Sequence, residues 1–302
     1  MQTSQIPQNF YEVEVREGCE ISEYTKRVWA REIELYFEFD RVCKKHNLTY
    51  YIAYGSLLGA VRHGGFIPWD DDLDVLMMRE DYDALCKIAP EEFKEPFFFQ
   101  NEHTDKGCRL AFTKLRNSNT CGMTPFEKLH DFRYNQGMFF DIFPLDNVSD
   151  DPEEQKAMIA ESMKLQKQAT NWSRYFDSKK LYFGRKWLYA LTPAVWAAKA
   201  VVKLFGIPNL PLQKLEKLMR KYENEQTENV VMIALDVSRV YPKSIFKDIV
   251  MLPFEFFEVP APVGYEEFLN IQYGDWRTPV KGGTLHEGTK FDTEKSYKEY
   301  LK

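Results

Sequence analysis

Several features that would settle a function quickly are missing. No block of basic residues tracks along the chain. Its 40 Lys and Arg stand against 46 Asp and Glu, a formal net charge of −6, so binding along a nucleic-acid polymer is a poor reading, although one nucleotide held locally is not ruled out. No stretch reaches the roughly 18–20 apolar residues of a membrane span, and Met1 to Glu20 lacks the basic region and apolar run of a secretion signal. The cysteines (Cys19, Cys43, Cys86, Cys108, Cys121) are odd in number and widely spaced, unlike a disulfide framework or a zinc cluster. Internal repeats and low-complexity segments are absent too. The expected setting is reducing and cytoplasmic.

What the chain does have is material for a core. Its 302 residues are 44% hydrophobic and 15% aromatic, enough for one large domain or a domain with an appendage. The most informative stretch is Tyr54-Gly55-Ser56-Leu57-Leu58-Gly59-Ala60-Val61-Arg62-His63-Gly64-Gly65-Phe66-Ile67-Pro68-Trp69-Asp70-Asp71-Asp72-Leu73-Asp74-Val75. Thr49 to Tyr54 reads as a short buried strand that ends in a glycine turn and a small-residue helix start. After the loop, Asp72 and Asp74 fall on one face of a second strand while Leu73 and Val75 point inward. Two like charges so close repel unless a cation lies between them, and oxygen-only ligands favour Mg2+ or Mn2+ over zinc. The ordinary alternative is a solvated acidic turn, with Trp69 packing to hold the loop.

Around this stretch, Ser22 to Lys45 has helical spacing (Val28, Ile33, Leu35, Phe37, Val42), capped by Ser22 and ended by Asn47. Arg79 to Ala89 predicts a helix stopped by Pro90, and Phe97 to Phe99 a strand. Arg109 to Arg116 reads as a strand whose Lys114 and Arg116 either meet a phosphate or guard a sheet edge. In Met138-Phe139-Phe140-Asp141-Ile142-Phe143, a carboxylate among apolar residues is costly to bury unless paired, protonated or on a metal, a lone turn-capping Asp being the commoner case. Asp146 is expected to cap the next turn.

Beyond Asp150, Pro152 to Tyr175 predicts a long polar helix, and Arg185 to Phe205 one that is apolar on most sides. In the second, Leu188, Leu191, Val195, Ala198, Val202 and Phe205 keep helical spacing, with Trp187 and Trp196 near them. Lys180, Arg185, Lys186, Lys199 and Lys203 lie around the edges, a pattern of either a core-facing helix or one lying on a membrane surface. A helix over Pro211 to Glu225, a strand over Val230 to Leu235, a strand pair over Val250 to Pro262 and a helix from Tyr265 to Tyr273 ending at Gly274 complete the chain.

Gly55-Ser56-Leu57-Leu58-Gly59-Ala60-Val61-Arg62-His63, followed by Gly65-Phe66-Ile67-Pro68-Trp69-Asp70-Asp71-Asp72-Leu73-Asp74, resembles the signature of the LicD family, the phosphocholine transferases related to fukutin. Further likenesses are the Lys114 strand, Phe139 to Asp146, Leu252-Pro253-Phe254-Glu255, Tyr273-Gly274-Asp275-Trp276 and the late His286, so the resemblance runs from about Tyr50 to Gly288. It implies an α+β fold: a nucleotidyltransferase-like mixed sheet with flanking helices and a helical insertion. Residues 1–150 would be the catalytic core with its N-terminal helix. Residues 151–228 would be the insertion, touching the acceptor or a membrane surface, and 229–302 would complete the core and site.

The resemblance also implies transfer of phosphocholine from CDP-choline to a sugar hydroxyl, lipid-linked or not, of a surface glycan such as teichoic acid, lipopolysaccharide or capsule, with release of CMP. Asp72, Asp74 and Asp141 would hold Mg2+ (or Mn2+), or Asp141 would serve as general base. Gly55 would let the backbone approach phosphate and Ser56 would bind it at a helix start. Arg62 would clamp phosphate, Lys114 would meet it as a point charge, and His286 would orient it or act as a base. Choline would require an aromatic cage that the sequence does not pick out. Other readings are a transferase using CDP-ribitol or CDP-glycerol, an ordinary nucleotidyltransferase, and a non-catalytic nucleotide-binding scaffold. The location implied is the cytoplasm, at the inner face of the membrane if the surface helix docks there.

Overall fold

The computed structural model describes residues 6–183, 185–234, 239–280, 282 and 286–301. A hairpin of β1 (Glu14–Arg16) and β2 (Cys19–Ile21) leads into α1 (Glu23–His46). Ser22 starts α1 by accepting the Thr25 amide at 3.1 Å, and Asn47, left-handed at φ 53°, closes it, as the sequence predicts. Its buried stripe of Trp29, Ile33, Tyr36 and Phe39 packs on the sheet, with the Phe39 ring 5.0 Å from that of Phe140.

Next come β3 (Tyr51–Ile52), α2 (Tyr54–His63), β4 (Asp74–Met78) and α3 (Arg79–Glu92). The first strand is shorter than expected because the chain turns at Tyr54 (φ 46°), which places Gly55 and Ser56 inside the first turn of α2. Helix α3 continues through Pro90. A proline this near the end forfeits little, and the Phe93 amide still donates to the Ala89 carbonyl at 3.0 Å.

Then follow β5 (Phe97–Gln100), β6 (Thr113–Asn117), β7 (Cys121–Met123), α4 (Pro125–His130), β8 (Met138–Val148) and α5 (Pro152–Trp172). The expected apolar helix divides into a 3-10 turn over Lys186–Leu191 and α6 (Thr192–Leu204). Pro193 has no amide to donate back into the preceding turn and is suited to the first turn of a new helix. After these come α7 (Leu210–Met219), β9 (Asn229–Val231), β10 (Val240–Pro242), β11 (Ile249–Phe254), β12 (Phe257–Pro262), α8 (Tyr265–Tyr273) and β13 (Lys290–Asp292). The last residue of the strand expected over Val230 to Leu235 lies outside the described residues.

The architecture is α+β: a seven-stranded mixed sheet flanked by helices. Strand β8 is its spine. It pairs in parallel with β4 over Asp141–Leu145, and antiparallel with β6 over Met138–Ile142 and with β9 over Asp146–Val148. Because β6 lies between β5 and β8, it is internal and guards no edge. Arg116, fully buried, donates to Gln100, the Gly137 carbonyl and Glu127. Asp146 caps no turn: inside β8 it accepts two bonds from Arg79 at 2.6 and 3.0 Å. No helix among the described residues is long and apolar enough to cross a membrane.

Candidate active site

The register of the sheet assembles the site. Parallel pairing sets Asp74 beside Asp141, and antiparallel pairing sets Lys114 on the other flank of Asp141. Residues opposite one another in a sheet project to the same face, so three strands deliver acid, acid and amine in one row. Lys114 Nζ donates to both Asp141 oxygens at 2.7 Å and lies 3.6 Å from the centre of the Phe139 ring. Leu73 and Val75 are buried as expected, but the strand begins only at Asp74, so Asp72 lies just before it and meets Asp74 at the cavity rather than by strand alternation.

The acidic loop is held by neighbours distant in sequence. Trp29 on α1 donates from Nε1 to the Asp70 carbonyl at 2.9 Å and stacks on Phe66, ring centres 4.6 Å apart. The Phe66 amide donates to Glu255 Oε1 at 3.0 Å, and Arg16 grips that carboxylate at 2.6 and 2.7 Å. Trp29 thus pins the loop from outside it, and Trp69 within it packs partly buried against the core, as expected. Gly55 is needed for closeness: a Cβ there would lie 2.4 Å from Asp70 Oδ2. Ser56 Oγ accepts the Asp74 amide at 2.9 Å, so it positions the acid directly.

His286 Nδ1 lies 3.2 Å from Asp71 Oδ1 and 3.3 Å from Asp72 Oδ2, with the imidazole edge-on to Phe139. Its neighbours Thr284 and Leu285 lie outside the described residues. Asp72, Asp74, Lys114, Asp141 and His286 all line one cavity of about 330 Å3. Phe112, Phe143 and Tyr134 line it too, with Gln166 and Thr170 of α5 and Leu212 and Leu215 of α7. Arg62 is not part of this wall; its guanidinium donates to the Trp276 carbonyl at 3.2 Å.

Burial, then the Asp70 charge, pushes the Asp72 carboxyl well above the usual range, and burial, then Asp72 and Asp141, does the same to Asp74. Burial and Asp71 raise Asp70 to about 6. Burial disfavours the charged form of His286, yet its contacts with Asp71 and Asp72 outweigh this and leave its pKa raised. Glu32 of α1 joins the group: it is 1% exposed, its Oε2 has no hydrogen-bond partner among the described residues, and burial followed by the Asp72 charge drives its pKa well up.

This donor set fits a divalent cation. Several carboxyls are held close with too little positive charge to ionise together, and Asp71, Asp72 and His286 offer ligand atoms within 4.8 Å of one another. The imidazole nitrogen makes the choice of metal less one-sided than oxygen ligands alone imply. Asp141 stands apart from that trio, tied to Lys114.

Metal-free protein has a definite expected pH response. Asp70, Asp72, Asp74 and Glu32 hold their protons in the folded state above the pH at which the unfolded chain releases them. Their contribution is therefore complete below about pH 4 and lost as pH rises through their raised folded-state values, about 6 for Asp70. In chelator, Tm falls between pH 5 and pH 8, and millimolar Mg2+ flattens the slope by favouring the ionised carboxylates. Scanning fluorimetry checks this, and a chelated Tm that is level or rising over that interval defeats the electrostatic account.

Two residues of the site escaped the sequence reading. Glu32 had a visible signal, a charge within the apolar stripe of Trp29, Ile33 and Tyr36. Arg109 had none: it lines the cavity, donates to Thr170 at 3.3 Å and stacks on Phe126 at 4.6 Å, contacts made by remote helices.

A mixed sheet carrying paired aspartates and a lysine beside one partly open cavity is the arrangement expected of a transferase of the nucleotidyltransferase class. Residues 47–190 match the family described as LicD/FKTN/FKRP, nucleotidyltransferase domain. The chain is 28% identical over 249 residues to the lipopolysaccharide cholinephosphotransferase LicD of Haemophilus influenzae, covering 79% of this chain and 85% of that protein. An uncharacterized protein of Rickettsia prowazekii is 55% identical over 47 residues, 16% of this chain and 18% of its own length. One of Rickettsia typhi is 53% identical over 51 residues, 17% and 16% respectively. Residues 47–190 thus carry a nucleotidyltransferase domain of the LicD/FKTN/FKRP type, and the likeness to the Haemophilus protein extends over most of the chain.

Proposed function

We propose that the protein transfers phosphocholine from CDP-choline to a sugar hydroxyl of a cell-surface glycan or its precursor, releasing CMP. The observation that carries this reading is the row Asp74–Asp141–Lys114 opening on a cavity whose wall includes Phe112, Phe143 and Tyr134. The reading is supported by the activity named for the Haemophilus relative.

The step forms a bond from the sugar oxygen to the choline-bearing phosphorus and breaks the one from that phosphorus to the CMP oxygen. Such a transfer needs alignment and charge neutralisation more than covalent help. Asp72 and Asp74, with Asp71, His286 or Asp141, would hold a divalent cation, which when bound would neutralise the diphosphate and polarise the attacking hydroxyl. Lys114, once released from Asp141, holds a phosphate oxygen as a point charge. Asp141, once released, accepts the hydroxyl proton on its carboxylate. Ser56 keeps Asp74 in place, and Gly55 admits Asp70 against α2. The aromatic wall meets the trimethylammonium, each cation–π contact worth ~0.5–2 kcal/mol. Residues 1–150 and 229–302 form the catalytic body and 151–228 the insertion that closes the cavity. A cytidine-linked donor places the work in the cytoplasm.

Gln166, Thr170 and Arg109 on the same wall favour a second reading, a CDP-linked polyol whose hydroxyls they would bond. Thermal shift in Mg2+ with CDP-choline, CDP-ribitol, CDP-glycerol, CTP, ATP and UTP separates the two. Saturating the folded state at a hundredfold excess over Kd adds ~2.7 kcal/mol. A metal-dependent shift confined to CDP-choline is expected. A shift with a polyol donor instead transfers the assignment to it, and no shift with any of the six rejects both.

A further inference from the structure

A surface helix normally turns its apolar stripe inward and its polar face to water, whereas α6 presents apolar residues to water as well. Its half-buried positions, Thr192, Val195, Lys199 and Val202, recur at intervals of three and four, so this stripe leans on the body of the protein. The opposite face carries Trp196, Ala197, Ala200, Val201 and Leu204, and no residue of α6 or of the preceding 3-10 turn is buried. Trp187 before the helix and Leu204 and Phe205 at its end are 68%, 78% and 72% exposed, so large apolar side chains face water at both ends of it.

The charge around it is one-sided. Between Ser178 and Leu215 there is no Asp or Glu, against seven Lys and Arg, in a chain whose net charge is −6. Lys179, Lys180, Arg185, Lys186 and Lys203 are exposed at this surface. Lys199 is not available with them: it donates to the Ser178 carbonyl and lies 5.3 Å from the Trp196 ring. A second copy of the chain would bring the same basic rim against its own, so self-association through this face opposes like charges. A negatively charged bilayer answers both features, taking the tryptophans and aliphatic side chains at its interface and the cations at its headgroups.

We propose that α6 and the 3-10 turn before it form a docking face for an anionic membrane surface. The helix links α5 and α7, which wall the cavity with Gln166, Thr170, Leu212 and Leu215, so docking holds that cavity beside the bilayer.

The test is co-sedimentation of the full chain with vesicles of phosphatidylcholine alone and of phosphatidylcholine with phosphatidylglycerol. The expected result is binding to the anionic vesicles only, at least about tenfold weaker in high salt and in Arg185→Gln/Lys186→Gln/Lys203→Gln, and abolished in Trp187→Ser/Leu204→Ser/Phe205→Ser. All six positions are exposed, and an unchanged Tm shows that the variants are folded. Wild-type protein left in the supernatant overturns the proposal without any variant, as does undiminished pelleting of the serine variant. A dimer seen by light scattering that the serine variant disperses, with no vesicle binding, assigns the face to a second copy instead.

Discussion

Asp72→Asn and Asp74→Asn each lower turnover by about a thousandfold or more, the scale of removing a principal electrostatic contact to a phosphoryl-transfer site. In metal-free buffer the same variants melt at the wild-type temperature or above it. Both carboxyls are driven towards the protonated form by burial and by their neighbours, so an amide of the same shape relieves repulsion at no cost in packing. Loss of activity with equal or gained stability marks residues kept for chemistry. A variant that retains near wild-type turnover removes that residue from the site, and one that melts much lower in chelator assigns it a structural bond. Mg2+ should raise the wild-type Tm and leave the variants almost unmoved, which reads metal binding independently of activity.

The second large effect belongs to the buried pair. Lys114→Ala leaves Asp141, 5% exposed and next to Asp74, without its cation, and breaking a buried ion pair from one side costs about 3–5 kcal/mol. Denaturant unfolding in chelator reads this loss. Mg2+ reduces it, because a cation replaces the charge that was removed. Lys114→Met/Asp141→Leu, which removes both charges while keeping volume, recovers most of the stability, since desolvating the pair cancels much of its attraction. No activity returns with it. A cost below about 1 kcal/mol for Lys114→Ala, or a double variant no better than the single one, would mean that the pair is solvated and the cluster less enclosed than its geometry shows.

These effects differ in how far the sequence alone announces them. Asp72 and Asp74 are legible because Leu73 and Val75 must go inward, which leaves the acids together on the outer side, though the strand itself begins only at Asp74. Helix α1 is legible likewise, since Ser22, Asn47 and a 3.6-residue stripe are local instructions. Asp141 and Lys114 are legible only as candidates. Each is a charge in an apolar strand, and what joins them is the register of β6 on β8, a choice made by three strands at once.

Where the local reading missed, a remote contact had intervened. Tyr54 shortened the first strand because α2 had to begin early enough for Ser56 to reach the Asp74 amide. Asp146 looked like a cap until Arg79 on α3 met it inside the sheet. Glu255 closes the acidic loop from roughly 190 residues away in the chain, and no spacing rule covers such a distance.

The sequence by itself determined the two-strand acidic motif, the helices at either side, the resemblance to the LicD family, and an apolar, base-rimmed segment after residue 185, because each is written in neighbouring residues or in one long signature. Only the tertiary structure decided that Asp141 is tied to Lys114, that Arg62 lies outside the cavity, that Arg109 lines it while Glu32 is buried beside its aspartates, and that α6 turns apolar residues outward. Those outcomes depend on which surfaces meet, and burial is a property of the assembled fold, not of any window along the chain.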